Sequence, residues 1–255
     1  MSRIDRTAFV ALFSAGLLGV LALLPYLFAL VPPTEGVSLT VIAAAAVVQL
    51  GAIVAVSCLV GLYLGPKVGL GAPLLRARLN GHPVADELRG TVRVAVPLGV
   101  AAAVVIVVLD VAFGAAGVSI PAGSVEQPEL WKRALASLYG GITEELLVRF
   151  GLMTLLVWLS TFVVGEDGPA DGAVWAAIVV TALAFGAGHL GTLASITDPT
   201  PLLVVRTVLL NAVGGIVFGW LYWRRGIEAA MAAHLTADLT LHVVAAELLA
   251  VAVGG

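Results

Sequence analysis

The sequence predicts an all-α membrane protein, a polytopic transmembrane helical bundle of about seven to eight spans. Three observations predict it. Hydrophobic residues make up 60 % of the chain and charged residues only 11 %, and the mean hydropathy is +1.09, all far outside the composition of soluble domains. Apolar runs of about 20 residues, the length that crosses a hydrocarbon core of about 30 Å, recur from end to end. The 255 residues accommodate these spans with short connectors, which leaves no room for a separate soluble domain.

Hydropathy and its breaks place the spans near Phe9–Val31, Val37–Leu64, Val92–Phe113, Ser137–Val163, Ala173–Leu190, Leu202–Trp223 and Ile227–Val253. The first run has no small-residue cleavage site before Pro32-Pro33 and is followed by further spans, so it reads as a retained helix rather than a signal peptide. Turn chemistry interrupts the pattern at Pro32-Pro33, at Gly65-Pro66, between Gly165 and Gly168, and at Asp198-Pro199-Thr200-Pro201. No internal repeat of the inverted-transporter kind is visible.

Cationic residues set the expected orientation. Arg3 and Arg6 precede the first span, Lys67, Arg76, Arg78, Arg89 and Arg93 follow the second, and Arg224-Arg225 follow the sixth. These alternate correctly as cytoplasmic and put the N-terminus inside. Lys132-Arg133 oppose that arrangement unless Pro128–Ala136 forms an amphipathic stretch at the interface, or the fourth helix begins as early as Pro128. The excess of arginine over lysine, 11 to 2, and the absence of a targeting tail suggest a prokaryotic plasma membrane. The net charge of −3 and the lack of a long basic run give no sign of nucleic acid as a partner, and the single cysteine, Cys58, sits in an apolar run as a packing residue.

Chemistry must come from polar side chains that the bilayer would otherwise exclude. The fourth span carries Glu144, Glu145 and Arg149, the fifth His189, and the seventh His234, Asp238 and His242. Residues four apart share a helical face, so Glu145 can pair with Arg149 while Glu144 points elsewhere. The same spacing stacks Phe185 on His189, and His234 on Asp238. Interhelical hydrogen bonding is an adequate account of Glu145 with Arg149. It is a poor account of Glu144, a second carboxylate with no partner on its own helix. His242 and Asp110 read as structural or interfacial, and His82 as a solvated residue of the second connector.

Glu144-Glu145-Leu146-Leu147-Val148-Arg149 resembles an EExxxR motif, Phe185-Gly186-Ala187-Gly188-His189 an FxxxH motif, and His234-Leu235-Thr236-Ala237-Asp238 an HxxxN motif with aspartate in the last place. In this order they resemble the CPBP family of CAAX-processing and bacteriocin-processing intramembrane proteases, which includes the Rce1-type prenyl endopeptidases. The resemblance covers about Trp131 to Val253. It divides the chain into N-terminal transmembrane helices of unassigned role, 1–127, and a protease core, 128–255.

The resemblance implies hydrolysis of a peptide bond in a membrane-anchored or prenylated substrate, as in CAAX-type or leader-peptide processing. Glu144 would be the general base, His189 and His234 would hold the water or polarise the carbonyl, and Glu145, Arg149 and Phe185 would support them. Asp238 departs from the family's asparagine: it must be protonated to donate to an oxyanion, or else orient His234. The expected mechanism needs no cofactor. A divalent metal such as zinc, held by Glu144, His189 and His234, is the alternative. A non-catalytic membrane scaffold or immunity protein of the same fold, and a proton-coupled transporter, are the readings from other classes.

Overall fold

The computed structural model describes residues 3–30, 38–120, 128–164 and 168–245. Among these no strand occurs, and the helices are α1 (Arg3–Leu30), α2 (Leu39–Leu64), α3 (Pro73–Leu79), α4 (Ala85–Ala115), α5 (Leu130–Leu138), α6 (Thr154–Val164), α7 (Asp171–Gly188), α8 (Leu190–Ile196), α9 (Pro201–Arg225) and α10 (Ile227–Asp238). A 3-10 turn, Gly65–Val68, extends α2, and π-helical stretches at Tyr139–Glu144, Leu146–Met153 and Leu239–Ala245 join α5 to α6 and continue α10. The molecule is an integral, multi-pass helical membrane protein: six helices among the described residues are long and apolar enough to cross a bilayer.

Span ends differ from the hydropathy reading for physical reasons. The third span begins at Ala85 rather than Val92, because Asp86, Glu87 and Arg89 ride on exposed first turns outside the apolar core. The fourth begins at Leu130 rather than Ser137, so Lys132 and Arg133 belong to the foot of that helix instead of a separate interfacial one. The fifth breaks at His189 and resumes as α8. Thr200 accepts the Leu203 N–H at 3.3 Å and Pro201 occupies the first turn, which starts α9 where the turn sequence predicts it. The Pro32-Pro33 break, residues 165–167 of the Gly165 to Gly168 break, and the expected end of the seventh span at Val253 lie outside the described residues. The described part of that last helix, from Ile227 to Ala245, is the most polar of the long ones, with Glu228, His234, Asp238 and His242.

One apolar core joins most of the bundle, and a smaller cluster of Val118, Leu193 and Leu203 lies apart from it. Ala8 and Leu12 of α1, Val54 and Cys58 of α2, Ala95 and Ala103 of α4, Leu146 and Phe150 of the π-helical stretch, Phe218 and Leu221 of α9, and Ala230 and Ala233 of α10 are all buried in it. Small residues let α10 sit at the centre. A Cβ on Gly99 of α4 would run into the Ala233 carbonyl, and one on Gly141 would meet the Leu235 backbone at 2.9 Å. Ala182 of α7 packs directly on Gly215 of α9, so the Gly214-Gly215 pair serves close packing within an unbroken helix. Outward-facing Val104, Val108 and Val111 of α4 and Leu159 and Phe162 of α6 are exposed, as expected of a lipid-facing surface.

Candidate active site

The site begins with a departure from α-helical geometry. Both glutamates lie where two π-helical stretches meet, Glu144 ending the first and Glu145 linking it to the second. Such wide turns are rare and recur at functional sites. Thr143 fastens this turn to the first span by donating to the Gly16 carbonyl at 2.8 Å.

Glu145 and Arg149 form the expected pair, Arg149 Nη1 donating to Glu145 Oε1 at 2.8 Å, with both side chains fully sealed at 0 % exposure. The guanidinium also donates to the Gly215 carbonyl at 3.2 Å and lies 4.9 Å from the Phe185 ring centre and 5.5 Å from that of Phe218. Burying this pair is costly, and removing one partner strands the other, a loss of about 3–5 kcal/mol.

Glu145 has a second task that its helical phase does not reveal. Its Oε1 also accepts from His234 Nδ1 at 2.7 Å. A carboxylate can only accept, so the proton is on Nδ1 and Nε2 faces the other way. There Nε2 meets Glu144 Oε2 at 3.8 Å and Asp238 Oδ1 at 3.5 Å. Phe218 stacks on the imidazole at 4.5 Å and 19°, and Phe185 approaches it edge-on at 5.7 Å. The ring is stacked on Phe218, contacted by Phe185 and held through Nδ1, which leaves Nε2 toward Glu144 and Asp238.

His189 stands at the junction of α7 and α8, its Nδ1 donating to the Phe185 carbonyl at 2.8 Å, which again leaves Nε2 available. Phe185 links the two imidazoles, lying 4.8 Å from His189, and His189 is close enough to Glu144 to interact with it electrostatically. Asp238 reaches the group because Gly140 has no side chain: a Cβ there would collide with the Asp238 carboxylate and come within 3.4 Å of His234 Nε2.

The structure therefore brings Glu144, His234 and Asp238 together, with His189 joined to them through Phe185. Glu144 stands about 20 Å along its helix from Leu130, and His234 about 10 Å along its own from Ile227. Those two starts lie on opposite membrane faces, so the distances add to the thickness of a core of about 30 Å and the groups meet at one depth. The early start of the fourth helix makes this possible.

Exposure separates the members. Glu144 and Asp238 keep 20 % and 17 % of their side-chain surface, whereas His234 keeps 5 % and Glu145 and Arg149 none. The first two line the reachable edge, and the rest form its backing.

Other polar candidates fall elsewhere. Asp110 of α4 binds Arg206 of α9 through Nε at 2.8 Å, a link between spans at the membrane face opposite the N-terminus. His242 is exposed and its carbonyl accepts from Arg133 at 2.9 Å; His82 is exposed; Cys58 is buried in the core. Among the described residues no three His, Cys, Asp or Glu side chains converge as a metal ion would require. Two contributors went unread in the sequence. Phe218 is an aromatic in an apolar span without a polar neighbour to mark it, whereas the Gly140-Gly141 doublet just before the glutamates was a visible sign of close approach.

Residues 126–240 match the family model described as type II CAAX prenyl endopeptidase Rce1-like. Neither a curated protein nor a solved structure matches the chain.

Proposed function

Residues 126–240 belong to the Rce1-like type II CAAX prenyl endopeptidase family, and from that premise we propose that the protein is an intramembrane endopeptidase in which Glu144 activates the attacking water. Family membership implies a protease acting on a membrane-associated peptide. The observation that carries the finer reading is the pairing of Glu144 Oε2 with His234 Nε2 at 3.8 Å, at a partly open edge backed by a sealed network.

In this mechanism a water between Glu144 and the histidines gives a proton to Glu144 while its oxygen attacks the scissile carbonyl carbon. His189 Nε2 accepts the second hydrogen of the water and so aims its lone pair. His234, oriented by Glu145, turns Nε2 toward the developing oxyanion. When the tetrahedral intermediate collapses, the C–N bond breaks and Glu144 returns its proton to the leaving amine.

Charge accounting gives Asp238 a role. Glu144, Glu145 and Asp238 are three carboxylates beside one guanidinium and one imidazole, so the cluster is neutral when His234 carries both ring protons and one further proton sits on a carboxyl group. Asp238 shares Nε2 of His234 with Glu144. As the protonated member, Asp238 donates to the oxyanion as the asparagine of the family pattern would. Glu144 then stays ionised and able to accept.

The metal-free version is the one proposed, with a divalent metal held by Glu144, His189 and His234 as its alternative. Both histidines use Nδ1 on an oxygen acceptor, a habit of metal-binding histidines too, and for this reason the test includes a chelator. Purified full-length protein should hydrolyse a membrane-anchored, prenylated reporter peptide at an unchanged rate after prolonged chelation and carry no stoichiometric zinc. Inactivation by the chelator, reversed by zinc, would replace this mechanism with the metal one.

A further inference from the structure

A second concave site lies away from the glutamates. A cleft of about 600 Å³ is lined by Arg76 at α3, Glu87, Gly90 and Thr91 of α4, and Trp223, Arg224 and Arg225 at the end of α9. None of the proposed catalytic side chains lines it. Its walls are the places where spans end: the second span stops at Val68, the third starts at Ala85 and the sixth stops at Arg225. The cleft therefore opens at the height of the lipid head groups on one membrane face. Asp5, at the foot of α1, pairs with Arg76 at 3.4 Å and shows that the N-terminal end is on that face.

The charge of the cleft is cationic. Three arginines and one carboxylate, Glu87, line it; Arg76 is already paired with Asp5, so Arg224 and Arg225 carry the excess positive charge. Arg224 lies flat over Trp223, 3.9 Å from the ring centre, and Trp223 packs edge-on against Trp175 at 6.0 Å. Lys67 sits 3.9 Å over Tyr63, whose ring is exposed. Aromatic rings carrying cations at span ends mark the interfacial belt, where the apolar ring meets acyl chain and the charge meets phosphate. Arg224 and Arg225 are exposed, while Thr91 and Tyr222 form buried parts of the lining.

We infer that this cleft binds the phosphate head group of an anionic phospholipid, with Arg224 and Arg225 supplying the positive charge and the Trp223 and Trp175 rings meeting the acyl chains. The inference goes beyond peptide hydrolysis and does not depend on it. Cationic pockets between span ends are suited to such head groups, each arginine contributing about fivefold in binding.

Native mass spectrometry of the full-length protein, offered phosphatidylglycerol and phosphatidylcholine in equal amounts, tests it. The wild type should retain phosphatidylglycerol preferentially. Arg224→Gln combined with Arg225→Gln should lower that retention by roughly 25-fold. Gly90→Phe, which adds a ring where a Cβ meets open space and changes no charge, should also displace the lipid. Arg89→Gln, on an exposed arginine paired with Asp86 at 2.8 Å and outside the lining, should leave retention unchanged. Equal retention of the two lipids by the wild type, or undiminished retention in the double variant, overturns the inference. So does displacement of the lipid by inorganic phosphate at equimolar concentration, which would assign the cleft to a free anion.

Discussion

The first three spans and the helices from Leu130 onward share one core, yet they are built differently. α1, α2 and α4 are α-helical throughout, even across Pro25 and Pro97, and their buried residues are mostly apolar or small. The later region contains the π-helical stretches, the sealed Glu145–Arg149 pair and the two carboxylates that face His234 Nε2. The difference teaches that the bilayer accepts charge only where a second set of groups has been arranged to meet it. The earlier spans serve that arrangement from outside: Gly16 receives the Thr143 hydroxyl, and Gly99 lets α10 approach.

The strongest way to break this contrast is to remove the base. Glu144→Gln keeps the shape and the hydrogen-bonding capacity but cannot take a proton, so reporter hydrolysis should fall by about 10²–10⁴-fold with the melting temperature unchanged. Glu145→Ala should act on stability as well as activity. It leaves Arg149 buried without its counter-charge, a loss of about 3–5 kcal/mol measurable by thermal unfolding in detergent.

Asp238 sharpens the comparison. If it donates as a carboxylic acid, Asp238→Asn should cleave within about tenfold of the wild type, whereas Asp238→Ala should lose about 10²-fold or more, as for removal of one oxyanion donor. A dead Asp238→Asn enzyme with a normal fold would instead require aspartate as an acceptor. Gly140→Ala should cost about 1–3 kcal/mol through forced displacement of the Asp238 carboxylate, read as a lower melting temperature and slower cleavage. The smallest effect belongs to Asp110→Asn, about 1 kcal/mol or less, because that carboxylate is 46 % exposed and only ties α4 to α9.

The helical fold was legible because apolar runs of bilayer length leave few alternatives. The groups at the site were legible because ionisable residues stand out in such runs, and the i, i+4 spacing sufficed to pair Glu145 with Arg149. The local helix type was not legible. Nothing in Ile142-Thr143-Glu144-Glu145 distinguishes a π turn from an α turn; the turn is packed from outside, by α10 on Gly140 and Gly141 and by Gly19 of α1 on Leu138, Tyr139 and Thr143. The shared use of Glu145 by Arg149 and His234 was hidden for the same reason: it joins residues 89 positions apart. Helical phase put Asp238 beside His234, but it could not show that Glu145 already holds the other ring nitrogen, which leaves Asp238 on the reactive side.

The central claim is that Glu144 takes the proton of the attacking water. Single-turnover cleavage of a membrane-anchored reporter, by the wild type and by a folded Glu144→Gln variant with Glu145, His189 and His234 intact, tests it most directly. The wild type should cleave the reporter, and the variant should do so at a rate at least about 10²-fold lower. Cleavage by the variant at the wild-type rate would contradict it.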